Sequence, residues 1–153
     1  MNKHKKLLVY VAGPFRASTP WLIEQNVRRA EEASLEVWKM GAVAVTPHLL
    51  TRHFQDALPD EVWIDGLISL MSTCDVLLIL PGWMNSSGTK AEIAEAGRLK
   101  KNIFYTLKEL ADWLRDDEAK FKKWIAEEGR GIEEICPECG CSNGFHHGDC
   151  EKI

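Results

Sequence analysis

Mostly apolar runs of four to six residues alternate with longer stretches of helical spacing through the first two thirds of the chain. The runs cover residues 7–12, 42–46, 76–80 and 102–105, and their length and branched side chains are typical of buried strands. Apolar positions recur every three or four residues over 20–40, 60–73 and 87–99, which predicts amphipathic helices. Residues 49–59 are expected to form a loop. The order of strand, helix and strand predicts an α/β domain with a three-layer, doubly wound parallel sheet of the Rossmann or flavodoxin-like type.

The ends of the predicted strands bring three loops together. Parallel strands end at the same edge of a sheet, and ligands bind beyond those ends, near the point where the strand order reverses. The loops that begin at Gly13, Pro47 and Pro81 should therefore share one edge. Residues far apart in the sequence are expected to meet there.

The size and charge of the chain limit the kind of protein that it can be. Its 153 residues suffice for one domain with a short appendage, and we predict a domain at 1–128 and a tail at 132–153. A net charge of −4 disfavours extended binding of nucleic acid, although a small anionic ligand needs only a few donors. No apolar stretch approaches the roughly 20 residues of a membrane span. Gly13 and Pro14 end the first apolar run well short of a signal peptide, so we predict a cytoplasmic protein.

The residues with the clearest chemistry lie at 82–92, between a strand and a helix. Backbone N–H groups at a helix start favour an anion, and the hydroxyls of Ser86, Ser87 and Thr89 beside Gly88 add donors for phosphate or sugar oxygens. The spacing does not fit a Walker loop. Glu92 follows closely and is the leading candidate for a catalytic carboxylate. The alternative is that the hydroxyls only cap the helix while Glu92 complements its dipole.

The C-terminal tail contains four of the five cysteines. A CxxC pair followed by histidine and cysteine predicts a tetrahedral Cys3His zinc site. The expected ligands are Cys136, Cys139, Cys150 and either His146 or His147, with Cys141 as a rival. So short a tail has no hydrophobic core, so the zinc would supply folding energy and have a structural role. The alternatives are a redox-active CxxC pair or free thiols.

Three segments carry a resemblance to a known family. They are residues 9–15 with the sequence VYVAGPF, the pair Cys74-Asp75 before an aliphatic strand, and residues 81–94, where PGW is followed after two residues by SSGTKAEIA. Together they resemble the nucleoside 2-deoxyribosyltransferase superfamily, and most closely its branch known as the DUF4406 domain, over residues 7–105. The resemblance implies chemistry at the N-glycosidic bond of a nucleoside or nucleotide, without a cofactor. It also implies a homo-oligomer, because neighbouring subunits complete the site in that superfamily.

The resemblance assigns three catalytic roles by position. Glu92 matches the nucleophile that attacks the anomeric carbon, Tyr10 matches the tyrosine that orients it, and Asp75 matches an acid near the base and sugar. These roles agree with retaining glycoside chemistry, in which one carboxylate attacks and a protonated group assists departure. Asp75 could instead be a turn residue before a strand, and Tyr10 a core aromatic.

Ser86 favours a nucleotide over a nucleoside as substrate. Superfamily members that act on free nucleosides tend to carry aspartate six residues before the nucleophile, and serine resembles the branch that hydrolyses deoxynucleoside 5′-monophosphates. A neutral donor removes repulsion toward phosphate. Further substrate contacts are expected from Gly13, Pro14, Phe15, Arg16, Trp83, Ser87, Gly88 and Thr89, with Lys90 as a second cation. Arg16 could also be a solvated loop cation, and Trp83 could either stack on a base or anchor its loop.

Two functions from different classes follow. The leading hypothesis is an enzyme that hydrolyses a 2′-deoxynucleoside 5′-monophosphate, or transfers its sugar, through a glycosyl intermediate on Glu92. The alternative is a nucleotide-binding sensor or interaction module that does not turn its ligand over.

Overall fold

Four parallel strands and five helices account for most of residues 6–116, the part of the chain that the computed structural model describes. The strands are β1 (Leu8–Ala12), β2 (Val43–Val45), β3 (Val76–Ile79) and β4 (Asn102–Phe104). The helices are α1 (Pro20–Lys39), α2 (Pro47–Leu50), α3 (Asp60–Thr73), α4 (Ser87–Arg98) and α5, which runs from residue 107 to the last described residue, 116. A short 3-10 helix, Trp83–Asn85, precedes α4.

The strands form one sheet in the order β2-β1-β3-β4. Every neighbouring pair is parallel, and Tyr10 of β1 lies opposite Val45 of β2 on one side and Leu77 of β3 on the other. From β1 the chain passes to β2 on one side of β1, and from β2 it crosses to β3 on the other side of β1. The strand order therefore reverses between β1 and β3. This arrangement confirms the predicted doubly wound α/β fold, and it opens a crevice beyond the carboxyl ends of β1 and β3.

Alternating side chains of the central strands form a hydrophobic layer on each face of the sheet. The layer shared with α1 and α5 includes Val9, Val11, Leu78, Val37 and Leu110. The layer on the other face, shared with α3 and α4, includes Tyr10, Leu77, Ile79, Met71 and Ala96. Tyr10 therefore points toward the face of the sheet that carries α4.

Helix α1 begins where the sequence predicts and ends one residue earlier, at Lys39. Thr19 caps its start, since the Thr19 hydroxyl accepts a hydrogen bond from the backbone N–H of Leu22 at 3.2 Å, and Pro20 is the first helical residue. Beyond its end, Gly41 has a φ of 85°, which an L side chain rarely adopts. The apolar stripe of α1 is buried as expected, with Val27, Ala30 and Val37 fully inaccessible.

The expected loop at 49–59 differs from the structure at its beginning. Residues 49 and 50 belong to the short helix α2, which starts at Pro47. Proline is favourable there because its fixed φ suits the first helical position. The rest of the segment forms turns that lead into α3, whose bounds match the predicted 60–73.

Several predictions concern residues outside the described part of the chain. The boundary at 128, the tail at 132–153 and the zinc ligands Cys136, Cys139, His146, His147 and Cys150 lie there, as does the rival Cys141. Within 6–116, no group of three or more His, Cys, Asp or Glu residues is arranged to hold a metal ion. In the same range no helix has the length and apolar character needed to cross a membrane.

Candidate active site

A cleft of about 200 Å³ lies beyond the carboxyl ends of β1 and β3. Four segments form its walls: the loop after β1, helix α2 with the turn after it, one face of α3, and the start of α4. The predicted meeting of the loops from Gly13, Pro47 and Pro81 is thus observed. The cleft is the candidate active site because this is where doubly wound sheets bind ligands.

A glycine is required where the loop after β1 enters the cleft. The backbone N–H of Leu80 donates to the carbonyl of Ala12 at 2.8 Å and draws the two chain segments together. A Cβ atom at Gly13 would lie 2.8 Å from the Cβ of Leu80, which is closer than real side chains approach. Gly13 therefore lets the loop start directly against the end of β3, and the following residues reach the cleft.

Tyr10 and Glu92 form a buried hydrogen-bonded pair at the base of the cleft. The Tyr10 hydroxyl donates to Oε1 of Glu92 at 2.6 Å. Tyr10 is inaccessible to solvent, and Glu92 is 7% exposed while still lining the cleft. Because Oε1 is engaged with Tyr10, the second carboxyl oxygen is the one left for a ligand.

Burial changes the proton affinity of both groups. Loss of solvation raises the pKa of Glu92 to about 7, against a smaller lowering of that pKa by the Tyr10 hydrogen bond. Burial and the neighbouring Glu92 carboxylate raise the pKa of Tyr10, which stays a neutral hydrogen-bond donor. Near neutral pH the carboxyl of Glu92 is therefore poised between its protonated and ionised forms.

Ser86 organises the start of α4 as its N-cap. Its Oγ accepts from the backbone N–H of Thr89 at 3.2 Å and from the Thr89 hydroxyl at 2.9 Å. This leaves the hydroxyl proton of Ser86 and the first backbone N–H groups of the helix, those of Ser87 and Gly88, as donors toward the cleft. A Cβ at Gly88 would meet nothing within 4 Å, so the helix start has open space beside it for a ligand.

Arg16 lines the cleft but already has anionic partners. Its guanidinium pairs with Asp56 at 3.2 Å through one nitrogen and with Asp60 through another. Both carboxylates raise the pKa of Arg16, which stays cationic. Lys90, the second predicted cation, is exposed and does not line the cleft.

His48 holds the loop after β1 in place. Its Nε2 lies 3.0 Å from the carbonyl oxygen of Pro14, and because a carbonyl only accepts, the proton is on Nε2. Burial lowers the pKa of His48, which is 4% exposed, so the ring is neutral. The ring also meets Phe15 edge to face, with centroids 6.0 Å apart. Pro14 therefore contributes to the site through its carbonyl rather than by lining the cleft.

Three aromatic side chains form part of the cleft wall. Phe54 and Trp63 lie with ring centroids 5.9 Å apart, and both line the cleft together with Phe15. Apolar side chains of α3 continue this wall. The cleft thus combines a carboxyl and a hydroxyl-rich helix start with ring surfaces, which suits a ligand with a polar part and a flat part.

Comparison with known proteins identifies the family. The sequence profile of a domain of unknown function, DUF7768, matches residues 7–106. The chain belongs to the DUF7768 family. The DUF4406 branch expected from the motifs is not confirmed. No curated protein matches the sequence of this DUF7768 member.

Solved structures also resemble the DUF7768 domain. One of them is the 2-deoxyribosyltransferase from the psychrotolerant bacterium Bacillus psychrosaccharolyticus, described as a biocatalyst for nucleoside synthesis. The two chains are 13% identical, with a TM-score of 0.50 over 63% of this chain and 69% of the other. At this identity the likeness shows a shared fold, which is the fold that the motifs implied.

Asp75 lies away from the cleft of the DUF7768 domain, contrary to expectation. It precedes β3, so it lies at the amino end of the strand, whereas the cleft lies beyond the carboxyl end. Its Oδ2 accepts from the backbone N–H of Leu8, at the start of β1, at 2.7 Å. This position does not agree with the expected role of Asp75 as an acid near the base and sugar, and the turn role considered as the alternative describes its contacts.

Trp83 also stays outside the cleft. Its ring packs against Tyr105, with centroids 5.7 Å apart, and against the hydrophobic layer that contains Tyr10. Of the two roles considered for Trp83, anchoring of the loop is the one that these contacts support.

Sequence reasoning missed Asp60 and the turn residues Thr51 and Gln55, which line the cleft. A signal for Asp60 was available, since a helix that follows a parallel strand starts near the carboxyl edge of the sheet. No comparable pattern marks Thr51 or Gln55, because the turns after α2 have no periodicity.

Proposed function

We propose that this DUF7768 domain cleaves the N-glycosidic bond of a 2′-deoxynucleoside 5′-monophosphate, or transfers its deoxyribosyl group, through a covalent intermediate on Glu92. The observation that carries the proposal is the buried hydrogen bond from Tyr10 to Glu92 at the base of the cleft. A buried carboxyl that lines a cleft costs stability, which argues for a role in binding or catalysis.

The proposed reaction has two displacements. In the first, Oε2 of Glu92 forms a bond to the anomeric carbon while the bond from that carbon to the base nitrogen breaks. The bonding pair leaves with the base, which takes up a proton from water. In the second, the oxygen of water or the ring nitrogen of another base attacks the same carbon, gives up its proton to water and releases the Glu92 carboxylate, which results in hydrolysis or transfer. Throughout, the Tyr10 hydroxyl fixes Oε1 and so orients Oε2.

The shape and donors of the cleft support a nucleotide ligand. The Ser86 hydroxyl proton and the N–H groups of Ser87 and Gly88 are suited to phosphate or sugar oxygens. The rings of Phe54 and Trp63 in the cleft wall are suited to the flat face of a base. We further propose that the protein is cytoplasmic, that it forms a homo-oligomer and that its tail binds a structural zinc ion.

Release of free base from a panel of deoxynucleotides tests the proposal. Glu92→Gln should abolish release, while Glu95→Gln, which alters a carboxylate on the same helix that pairs with Arg98, should leave it unchanged. Mass spectrometry of rapidly quenched wild-type protein should show the mass of the sugar phosphate on the peptide that contains Glu92. Equal base release by wild type and Glu92→Gln would refute the assignment.

A second candidate is a nucleotide-binding module without turnover. The observation that favours it is the position of Asp75, which removes the predicted second carboxylate from the cleft. Saturable nucleotide binding without base release over long incubation, and equal binding by wild type and Glu92→Gln, would support this candidate over the enzyme.

A further inference from the structure

Arg16 and Asp60 form a wall between two cavities. Both residues line the cleft, and both also line a second depression formed by residues 56–60. Asp56 lines only the second depression. Arg16 is thus held by one carboxylate at the cleft and by one on its far side.

The two carboxylates differ in how firmly they are placed. Asp60 is the first residue of the 14-residue helix α3, so its backbone is fixed by the helix. Asp56 belongs to the turns between α2 and α3, its side chain is 86% exposed, and its φ of 62° lies in the left-handed region. The pair with Asp56 is therefore the easier of the two to exchange.

The charge balance at Arg16 disfavours an incoming anion. One guanidinium faces two carboxylates, so the three side chains together carry a formal charge of −1. A phosphate that approaches Arg16 must compete with carboxylates that already hold its N–H groups, whereas an uncharged nucleoside meets no such competition.

We propose that Asp56 competes with the anionic group of a ligand for Arg16 and so sets the preference between nucleosides and their 5′-phosphates. When phosphate binds in the cleft, the guanidinium turns toward it and leaves Asp56 on its far side, while Asp60 at the cleft remains as the positioning residue that orients the guanidinium. The assignment of nucleosides and nucleotides as the ligands rests on the proposed function, whereas competition between Asp56 and phosphate does not.

Asp56→Asn tests this inference. Asparagine removes the charge, keeps the size of the side chain and tolerates the left-handed backbone. The matched control is Glu36→Gln, which removes one charge from an exposed pair with Lys39 on α1, outside both cavities. Titration calorimetry at low salt should show about two- to fivefold tighter binding of inorganic phosphate and of a deoxynucleoside 5′-monophosphate by Asp56→Asn, the size of the effect expected from one exposed ion pair. The matching nucleoside should bind as it does to wild type.

The effect should depend on Arg16. In an Arg16→Gln background, Asp56→Asn should change phosphate affinity no more than Glu36→Gln does in wild type. Unchanged phosphate affinity in Asp56→Asn, or an equal gain for the nucleoside, would overturn the inference. Tighter binding of inorganic phosphate through Arg16 supports it whether or not base is released, so its outcome is separate from that of the Glu92→Gln cleavage assay.

Discussion

Glutamine at position 92 nearly preserves the shape of glutamate without its titratable proton, so Glu92→Gln isolates the energetic effect of burying this carboxyl. In the unfolded chain a glutamate loses its proton near pH 4.3, whereas in the folded protein burial raises the pKa of Glu92 to about 7. Between these values the unfolded state binds fewer protons than the folded state. The free energy of unfolding therefore falls as the pH rises toward 7 and stays lower above it.

The magnitude follows from the same two values. One pKa unit corresponds to about 1.4 kcal/mol, so wild type should lose roughly 2–3 kcal/mol of stability between pH 5 and pH 8 that Glu92→Gln does not lose. Burial lowers the pKa of His48, so this residue makes the free energy of unfolding rise with pH. The contribution is the same in both proteins and cancels in their difference.

Urea unfolding of both proteins at pH 5, 6, 7 and 8 measures this difference. Wild type should approach or fall below the variant in stability as the pH rises, and the gap between the two should change most between pH 5 and pH 7. Parallel pH dependences would show that Glu92 does not have a raised pKa, and the reasoning about its burial would be refuted. The assay needs no ligand, so it is independent of the proposed activity.

Three further predictions concern single contacts. Tyr10→Phe removes the hydrogen bond that lowers the pKa of Glu92, so that pKa should rise above its wild-type value, as carboxyl NMR of the Glu92 side chain would detect. Ser86→Ala removes the N-cap of α4 and should lower the free energy of unfolding by about 1 kcal/mol, while Ser87→Ala should have little effect in the same urea titration. Asp75→Ala leaves the Leu8 N–H without its acceptor and should cost about 1–3 kcal/mol of stability, with nucleotide affinity per folded molecule unchanged in calorimetry; a selective loss of affinity would contradict its position outside the cleft.

Most of the fold follows from local patterns in the sequence. The branched run after Asp75 and the helical spacing over 60–73 each match an observed element, because burial on a sheet or along one helix face imposes those periods. The predicted strands extend by at most one residue too far at either end, since pairing with neighbours, which the sequence does not display, decides where a strand stops. The 3-10 turn before α4 has no periodic signal and was missed.

The candidate site was predictable in part. Free N–H groups at the start of α4 and the nearby carboxyl of Glu92 follow from the residues themselves, whereas the pairing with Tyr10 was suggested only by resemblance. The short motif matches Asp75 to an acid near the substrate, but topology puts a residue before a parallel strand at the amino edge of the sheet. The partners of Arg16 were beyond sequence reasoning, because the path of the turns around Asp56 depends on tertiary contacts.

The contacts that shape the cleft join residues far apart in the chain. The hydrogen bond between Tyr10 and Glu92 spans 82 positions, and the contact between Pro14 and His48 spans 34. Such non-local contacts form only after long loops have closed, so they slow folding and appear together with the completed sheet. Within residues 6–116, no short contiguous fragment contains all four walls of the cleft. In a refolding experiment, binding of the proposed nucleotide ligand should therefore appear with the final folding phase.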